Sequence, residues 1–345
     1  MSGDEGSTRD LTPTELFRTI ADLTEKPVGE RCDFCRMPLP ADPVMYTRNG
    51  ADYHFCTAAC RDELARTDRV FTEYHGFRRM IPEIEPLDRH LPQGIPRNSF
   101  VLVAEQSGSR GDALGAELLW RTLERDEPAV IVTFTEPPIS LIQRFLDLDW
   151  NVLPALSMDQ LRIVDCFTTR MDDPRRFERR LNDWNRHLDR IAAPQTVRVN
   201  DPTDPAEVRN KLDNTLEDLE MVDRGIVHID SLTEFGTLVQ PVQAYDFVKD
   251  IRADVCKGRF VPVFGGGTVT SEDIEFPHDL GYVLDGIVEL GLSDSIVKDT
   301  LLRRIRVKKM NGVMVITEWT AYEFTRGRGA IAFDPIEQMG DRDQE

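Results

Sequence analysis

Residues 100–112 read Phe100-Val101-Leu102-Val103-Ala104-Glu105-Gln106-Ser107-Gly108-Ser109-Arg110-Gly111-Asp112. The first five are an unbroken apolar run, the length and character of a strand buried on both faces. A Gly/Ser loop follows, then a helical stretch from Ala113 to Leu123. The alternation continues downstream. Ala129 to Phe134, Leu161 to Cys166, Gly225 to Asp230 and Phe260 to Phe264 read as further strands, and Pro138 to Leu148 as a helix. Residues 170–223 are charged and read as mostly helical. Strands alternating with helices predict an α/β fold, a mainly parallel sheet with helices on both faces. Between 283 and 333, short alternating segments such as Ile287 to Leu292 and Val313 to Glu318 predict an antiparallel extension. The run Gly265-Gly266-Gly267 reads as a turn or hinge after the fifth strand.

The rest of the chain divides around this domain, taken as 99–334. Residues 1–27 hold an amphipathic helix over 12–24, with Thr12 as N-cap, Pro13 in the first turn and Leu16, Phe17, Ile20 and Leu23 on one face. Residues 28–77 form a cysteine module. Residues 78–98, with Pro82, Pro86, Pro92 and Pro96, read as a linker, and 335–345 as an acidic tail.

Composition bounds the function. Asp and Glu number 61 against 42 Lys and Arg, for a formal net charge of −19, and only seven of the basic residues are Lys. Such a surface suits concentrated salt, where the Debye length shrinks to ~3 Å at 1 M and self-repulsion fades. The same charge disfavours a broad nucleic-acid face, which needs clustered Lys and Arg. No apolar run approaches the ~20 residues of a membrane span, and residues 1–10 carry no secretory pattern. A cytoplasmic location is expected.

Four of the six cysteines cluster as Cys32-x2-Cys35 and Cys56-x3-Cys60. In a reducing compartment two close thiolate pairs supply a closed tetrahedral zinc site. His54 is an alternative to Cys56 as ligand. Cys166 and Cys256, with no neighbouring base, read as buried apolar residues. Tyr53-His54-Phe55-Cys56-Thr57-Ala58-Ala59-Cys60, taken with Cys32 and Cys35, resembles the treble-clef-like TRASH family of small zinc modules. The resemblance covers about forty residues and implies a structural or partner-binding zinc, or sensing of a softer metal.

The α/β segments in their order resemble the KaiC/RadA branch of the RecA-like ATPases. The resemblance rests on Gly94-Ile95-Pro96-Arg97-Asn98-Ser99, Thr133-Phe134-Thr135-Glu136, Leu161-Arg162-Ile163-Val164-Asp165, Ile226-Val227-His228-Ile229-Asp230 and Arg306-Val307-Lys308-Lys309-Met310-Asn311. It spans about 88–334 and implies a nucleotide site for ATP and magnesium. In it Glu136 would orient water as the catalytic base, and Asp230 would hold the metal. Lys309 would serve a neighbour's nucleotide. Gly108, Ser109, Arg110 and Asp112 would form the phosphate loop. The departures are severe. A working loop reads G-x-x-x-x-G-K-[ST], and here Glu105, Arg110, Gly111 and Asp112 stand at its four defining positions. A charge pair at 4 Å interacts by ~4 kcal/mol at an effective dielectric of 20. Losing the Lys and gaining Asp112 therefore weakens phosphate binding by several powers of ten, which Arg110 would offset in part. Asp230 reads equally as an N-cap or core-edge carboxylate, and Lys309 as a solvated strand residue.

The leading expectation is a non-catalytic regulatory or signalling protein of this KaiC-like type. Salt-loving archaea carry such chains with degenerate loops, some of them transducer-like. The α/β domain would act as an interaction scaffold for a protein partner or for self-association, and the zinc module as a partner or sensor element. The alternatives are an atypical ATPase using Asp230 and Glu136, and a zinc-dependent transcriptional or DNA-associated regulator.

Overall fold

The computed structural model describes residues 30–48, 51–67, 78–269, 278–297 and 300–335. The helix expected over 12–24 and the tail from 336 lie outside them. The chain separates into two compact units, Met1–Arg78 and Arg79–Glu345. No helix among the described residues is long and apolar enough to cross a membrane.

In the first unit a tight turn carries Cys32 and Cys35 between the bridged residues Arg31 and Pro38. An antiparallel hairpin follows, β1 (Val44–Arg48) with β2 (Ala51–Phe55), then helix α1 (Ala58–Thr67). Turn and hairpin are tied by two hydrogen bonds, from Asp33 N–H to the His54 carbonyl at 2.9 Å and from His54 N–H to Asp33 Oδ2 at 2.7 Å. Among the described residues the fully buried cluster of this unit is Cys32, Phe55 and Leu64, with Phe34, Leu39, Val44, Tyr46 and Tyr53 packed against it.

The second unit opens with β3 (Arg79–Met80), α2 (Glu85–His90) and β4 (Ile95–Pro96). This is the stretch expected to be a linker, and it is folded instead. Met80, Ile84, Leu87, Leu91 and Ile95 are buried in the main core, and Pro86 occupies the first turn of α2. Its prolines start and stop short elements rather than loosen the chain.

The elements of the sheet domain follow in order: β5 (Phe100–Gln106), α3 (Gly111–Glu124), β6 (Ala129–Thr133), α4 (Pro138–Asp147), α5 (Leu153–Ser157) and β7 (Leu161–Asp165). Next come α6 (Pro174–Arg180), α7 (Asp183–Ala192), β8 (Thr196–Arg198), α8 (Pro205–Asp218), β9 (Ile226–Asp230), α9 (Leu232–Leu238), α10 (Pro241–Ile251) and β10 (Val263–Val269). The last strands are β11 (Gly286–Val297), β12 (Thr300–Met310), β13 (Thr320–Thr325) and β14 (Gly329–Phe333).

The sheet order is β14-β13-β12-β11-β5-β10-β9-β6-β7-β8. From β11 to β8 every pairing is parallel, while β12, β13 and β14 add antiparallel strands at one side. Alternation along each strand sorts the core into two layers. Val101 and Val103 of β5 face one, with α3 and α4; Phe100, Leu102 and Ala104 face the other, with α8, α9 and α10. On the first face Trp120 of α3 stacks on Trp150, just beyond α4, with ring centroids 6.0 Å apart and planes 7° from parallel.

Three expectations are corrected. The strand expected at Phe260–Phe264 begins only at Val263, because Phe260 takes a left-handed φ of 56°. The glycine run is no hinge; it lies inside β10, in the middle of the sheet. A Cβ on Gly265 would stand 2.4 Å from Leu232 Cδ1, so the missing side chain lets α9 pack directly on the strand. Val313–Glu318 is not a strand. The N–H groups of Met314 and Ile316 go to the Gln93 side chain and the His90 carbonyl, not to a neighbouring ladder. The short edge strand β8 was hidden in the charged stretch expected to be helical.

Candidate functional site

The four cysteines of the first unit converge. One sulfur from each of Cys32, Cys35, Cys56 and Cys60 lies within 4.8 Å of the others, with Cys35 and Cys56 at 3.5 Å. The turn supplies the first pair; the end of β2 and the first turn of α1 supply the second. Burial alone would raise the Cys32 thiol, but the backbone N–H groups of Cys35, Cys56 and Phe34 outweigh it and bring it down to about 7. Burial holds Cys35 up at about 12, with the crowded neighbouring thiols adding to the rise. Four soft donors with no other role, packed this closely, fit a tetrahedral thiolate-bound ion. His54 is outside the group of four.

The loop after β5 tells a different story. It spans Ser107–Arg110 between β5 and α3. Gly108 has φ 93° and Arg110 φ 64°, so Arg110 holds a left-handed conformation where the working motif has its second glycine. The Arg110 guanidinium lies 5.1 Å from the Phe324 ring centre on β13. That stacking gives it a partner outside the loop. Ser109 is fully buried, and its carbonyl accepts the Tyr322 hydroxyl.

The N–H of Gly111, an open donor at the start of α3, is taken by Glu105 Oε2 at 2.7 Å. A helix N-terminus after such a loop is where a phosphate would bind; here the chain's own carboxylate occupies it. A Cβ on Gly111 would stand 2.4 Å from that oxygen, so glycine here makes room for the carboxylate. Burial raises the Glu105 carboxyl above its ordinary range. The Gly111 N–H works against the rise, and the charges of Asp112 and Asp230 add to it.

Asp112, Glu136 and Asp230 come together from the start of α3 and the carboxyl ends of β6 and β9. Arg144, on α4, reaches among them. Its Nε lies 3.7 Å from Asp112 Oδ2, its Nη1 lies 3.4 Å from Asp230 Oδ2, and its Nη2 contacts Glu136 Oε1. Thr135 Oγ1 also donates to Asp230 Oδ2, at 3.1 Å. Burial raises the Glu136 carboxyl; Arg144 pulls it down, while Asp230 and Asp112 push it up. His228, one residue pair before Asp230 on β9, is buried against α3, and burial lowers it to about 4.

The sequence-predicted residues therefore split. Glu136, Asp230 and Asp112 are brought together. Gly108, Ser109 and Arg110 form the loop, and its one cationic side chain, Arg110, is stacked on Phe324. Lys309 is elsewhere, donating to the carbonyls of Gly281 and Leu284 at 2.9 and 2.8 Å. Cys166 and Cys256 are buried, and burial pushes both thiols up, as expected of inert core residues. Sequence alone does not point to two of the residues here. Glu105 reads as a lost glycine, not as a partner of the Gly111 N–H, and Arg144 sits in mid-helix with no motif around it. The only sequence signal for Arg144 is a lone cation in the otherwise uncharged run Pro138–Phe145. The arrangement does not fit magnesium and a polyphosphate as it stands. Four carboxylates surround the position, the loop donor is taken, and a guanidinium stands among the metal-binding oxygens.

A family model described as "ATPase: KaiC" matches residues 82–337. A UPF0273 protein of Pyrococcus horikoshii is 23% identical over 235 residues, covering 68% of this chain and 86% of that protein. One from Aeropyrum pernix is 24% identical over 261 residues, covering 75% and 95%. The crystal structure of a KaiC-like protein from Pyrococcus horikoshii superposes with a TM-score of 0.57, covering 74% of this chain and 99% of that one. At 14% identity this likeness speaks for the fold alone.

Proposed function

The chain belongs to the KaiC family of ATPases, and we propose that within it the protein is a non-catalytic regulatory member. The sheet domain serves as an interaction scaffold in the cytosol, for a protein partner or a second copy. The first unit carries zinc and acts as a partner-binding element. The observation that carries this reading is the occupied loop: Glu105 on the Gly111 N–H, and Arg144 among Asp112, Glu136 and Asp230. An incoming phosphate would have to displace one and a magnesium ion the other. It would do so with no loop lysine and with four carboxylates nearby. Electrostatic stabilisation of the transferred phosphoryl group is most of what such enzymes supply, and here the charge has the opposite sign.

The acidic, lysine-poor surface supports a halophilic setting, so the test is titration calorimetry in molar KCl with magnesium. No detectable binding of ATP or ADP is expected. Micromolar binding would overturn the reading.

A second reading, ATP hydrolysis, draws on the family itself and on Glu136 lying beside Asp230. It requires Glu105 and Arg144 to withdraw when nucleotide arrives. Hydrolysis that falls in Asp230→Ala and Glu136→Ala would establish it; equal rates in wild type and both variants would remove it.

A further inference from the structure

Away from the loop, the connection from β7 to β8 builds a second concave site at the carboxyl ends of the parallel strands. In the sheet order β7 is four strands from β5, roughly 19 Å at the usual strand spacing. Ligands of open parallel sheets bind along this same edge.

The connection runs counter to the protein's charge. In a chain of net charge −19, residues 170–180 contain five arginines, Arg170, Arg175, Arg176, Arg179 and Arg180. Three of them, Arg170, Arg176 and Arg180, line a cleft of about 620 Å³ together with Phe167, Met171 and Phe177. Asp172 and Asp173 also border it.

Its frame is fixed. Asp165 Oδ1 accepts the N–H groups of Phe167 and Thr168 at 3.0 and 2.9 Å, holding the turn that carries Phe167. Arg170 is committed to the Phe134 carbonyl and to Glu234. Asp173 caps α6 through the Arg176 N–H and lies 3.9 Å from Arg179.

Arg176 and Arg180 differ from these. They are one turn apart on α6 and border the same cleft. Among the described residues neither guanidinium has an ion-pair or hydrogen-bonding partner. Two like charges at this spacing repel unless an anion joins them. Guanidinium forks bind phosphate and carboxylate bidentately. The half-buried faces of Phe167 and Phe177 offer a planar apolar group a place to stack.

We propose that this cleft binds a small organic anion of the nucleoside-monophosphate class, its phosphate held by Arg176 and Arg180 and its ring against Phe167 and Phe177. The site is independent of the loop and of whether Glu105 occupies the Gly111 N–H.

The test is calorimetric titration of the full chain with AMP, and separately with inorganic phosphate. Wild type is compared with Arg176→Ala/Arg180→Ala and with Arg175→Ala/Arg179→Ala. The second pair makes the same charge change on the same helix but does not border the cleft. All four side chains are exposed, and far-UV circular dichroism would check that both variants keep the fold. Saturable AMP binding is expected in wild type, weakened at least tenfold in the first variant and little changed in the second. Phosphate alone is expected to bind more weakly than AMP. No binding of AMP at millimolar concentration would overturn the proposal. So would equal loss in both variants, or binding that ignores Arg176 and Arg180, which would place AMP elsewhere. Phosphate binding as tight as AMP would overturn the role of the two rings.

Discussion

The two units solve the same electrostatic problem in opposite ways. In the first, four thiols are drawn within 4.8 Å of one another, and any cation that joins them has to come from outside. In the second, four carboxylates gather at the loop and the chain brings its own cation, Arg144, among three of them. A site completed from outside is sensitive to the supply of its ion. A site completed from within is insensitive to ligands until something displaces the internal group.

The largest effect expected follows from the first half of this contrast. Structural zinc contributes about 10–16 kcal/mol of apparent binding free energy in small modules, and among the described residues of this unit only Cys32, Phe55 and Leu64 form a fully buried cluster. Chelation, or Cys32→Ser, should unfold residues 30–67, seen as loss of amide dispersion in nuclear magnetic resonance spectra. A first unit that stays folded without metal would break the comparison.

The second half predicts that Arg144→Ala leaves Asp112, Glu136 and Asp230 facing one another. Removing one partner of a buried ion pair costs about 3–5 kcal/mol. Arg144 is 19% exposed and Asp112 50%, so about 2–3 kcal/mol is expected here. The signature lies in the rescue. Millimolar magnesium should raise the melting temperature of Arg144→Ala and leave wild type unchanged. An equal response in both would mean that Arg144 does not stand in for a metal.

A third test uses pH and the helix that begins at the loop. Glu117 on α3 is buried, and burial raises its carboxyl to about 7, partly countered by the Ala330 N–H and Arg121. The folded state therefore binds this proton more tightly than the unfolded state. The stability it contributes is present below the ordinary carboxylate range and is lost as pH rises through about 7. Glu117→Gln should gain on wild type by roughly 2 kcal/mol between pH 5 and pH 8. His228 and His90, both lowered by burial, act in the other direction. The difference between the two denaturation curves isolates Glu117. Zinc binding, which needs deprotonated thiols, should weaken as pH falls, so acid lowers the stability of the first unit while protonation of Glu117 favours the second.

The smallest effect is Glu105→Gly. It frees the Gly111 N–H and removes one of four negative charges. A gain of about tenfold, near 1.4 kcal/mol, should bring ADP binding that is undetectable in wild type into the calorimetric range. No change would show that the carboxylate is not what keeps phosphate out.

How far the sequence could be read varied from residue to residue. The cysteine spacing was legible because ligand geometry is local: each pair sits on one turn or one helix start. Glu136 and Asp230 were legible because strand order in a parallel sheet fixes which strand ends meet. Arg144 was not, since it acts across the site from mid-helix and nothing near it in sequence names its partners. Glu105 was seen as a damaged motif, because a motif records what a position lacks and not what its side chain does instead. The glycines of β10 misled for a related reason. Glycine marks turns, but it also marks places where another element, here Leu232 of α9, comes too close for a side chain. The prolines between 82 and 96 likewise read as a linker, because the helix that follows Ile84 packs on β12, β13 and β14, far along the chain.

The stacked pair Trp120–Trp150 joins the helix that starts at Gly111 to the end of the helix that carries Arg144. Two indoles this close and this nearly parallel should couple optically. Their coupling depends steeply on separation and angle, which makes the pair an intrinsic gauge of whether α3 and α4 hold their distance. A ligand that shifts α4 as it draws Arg144 away from Asp112 would disturb that gauge, and the change would be visible in the near-ultraviolet with no label attached to the protein.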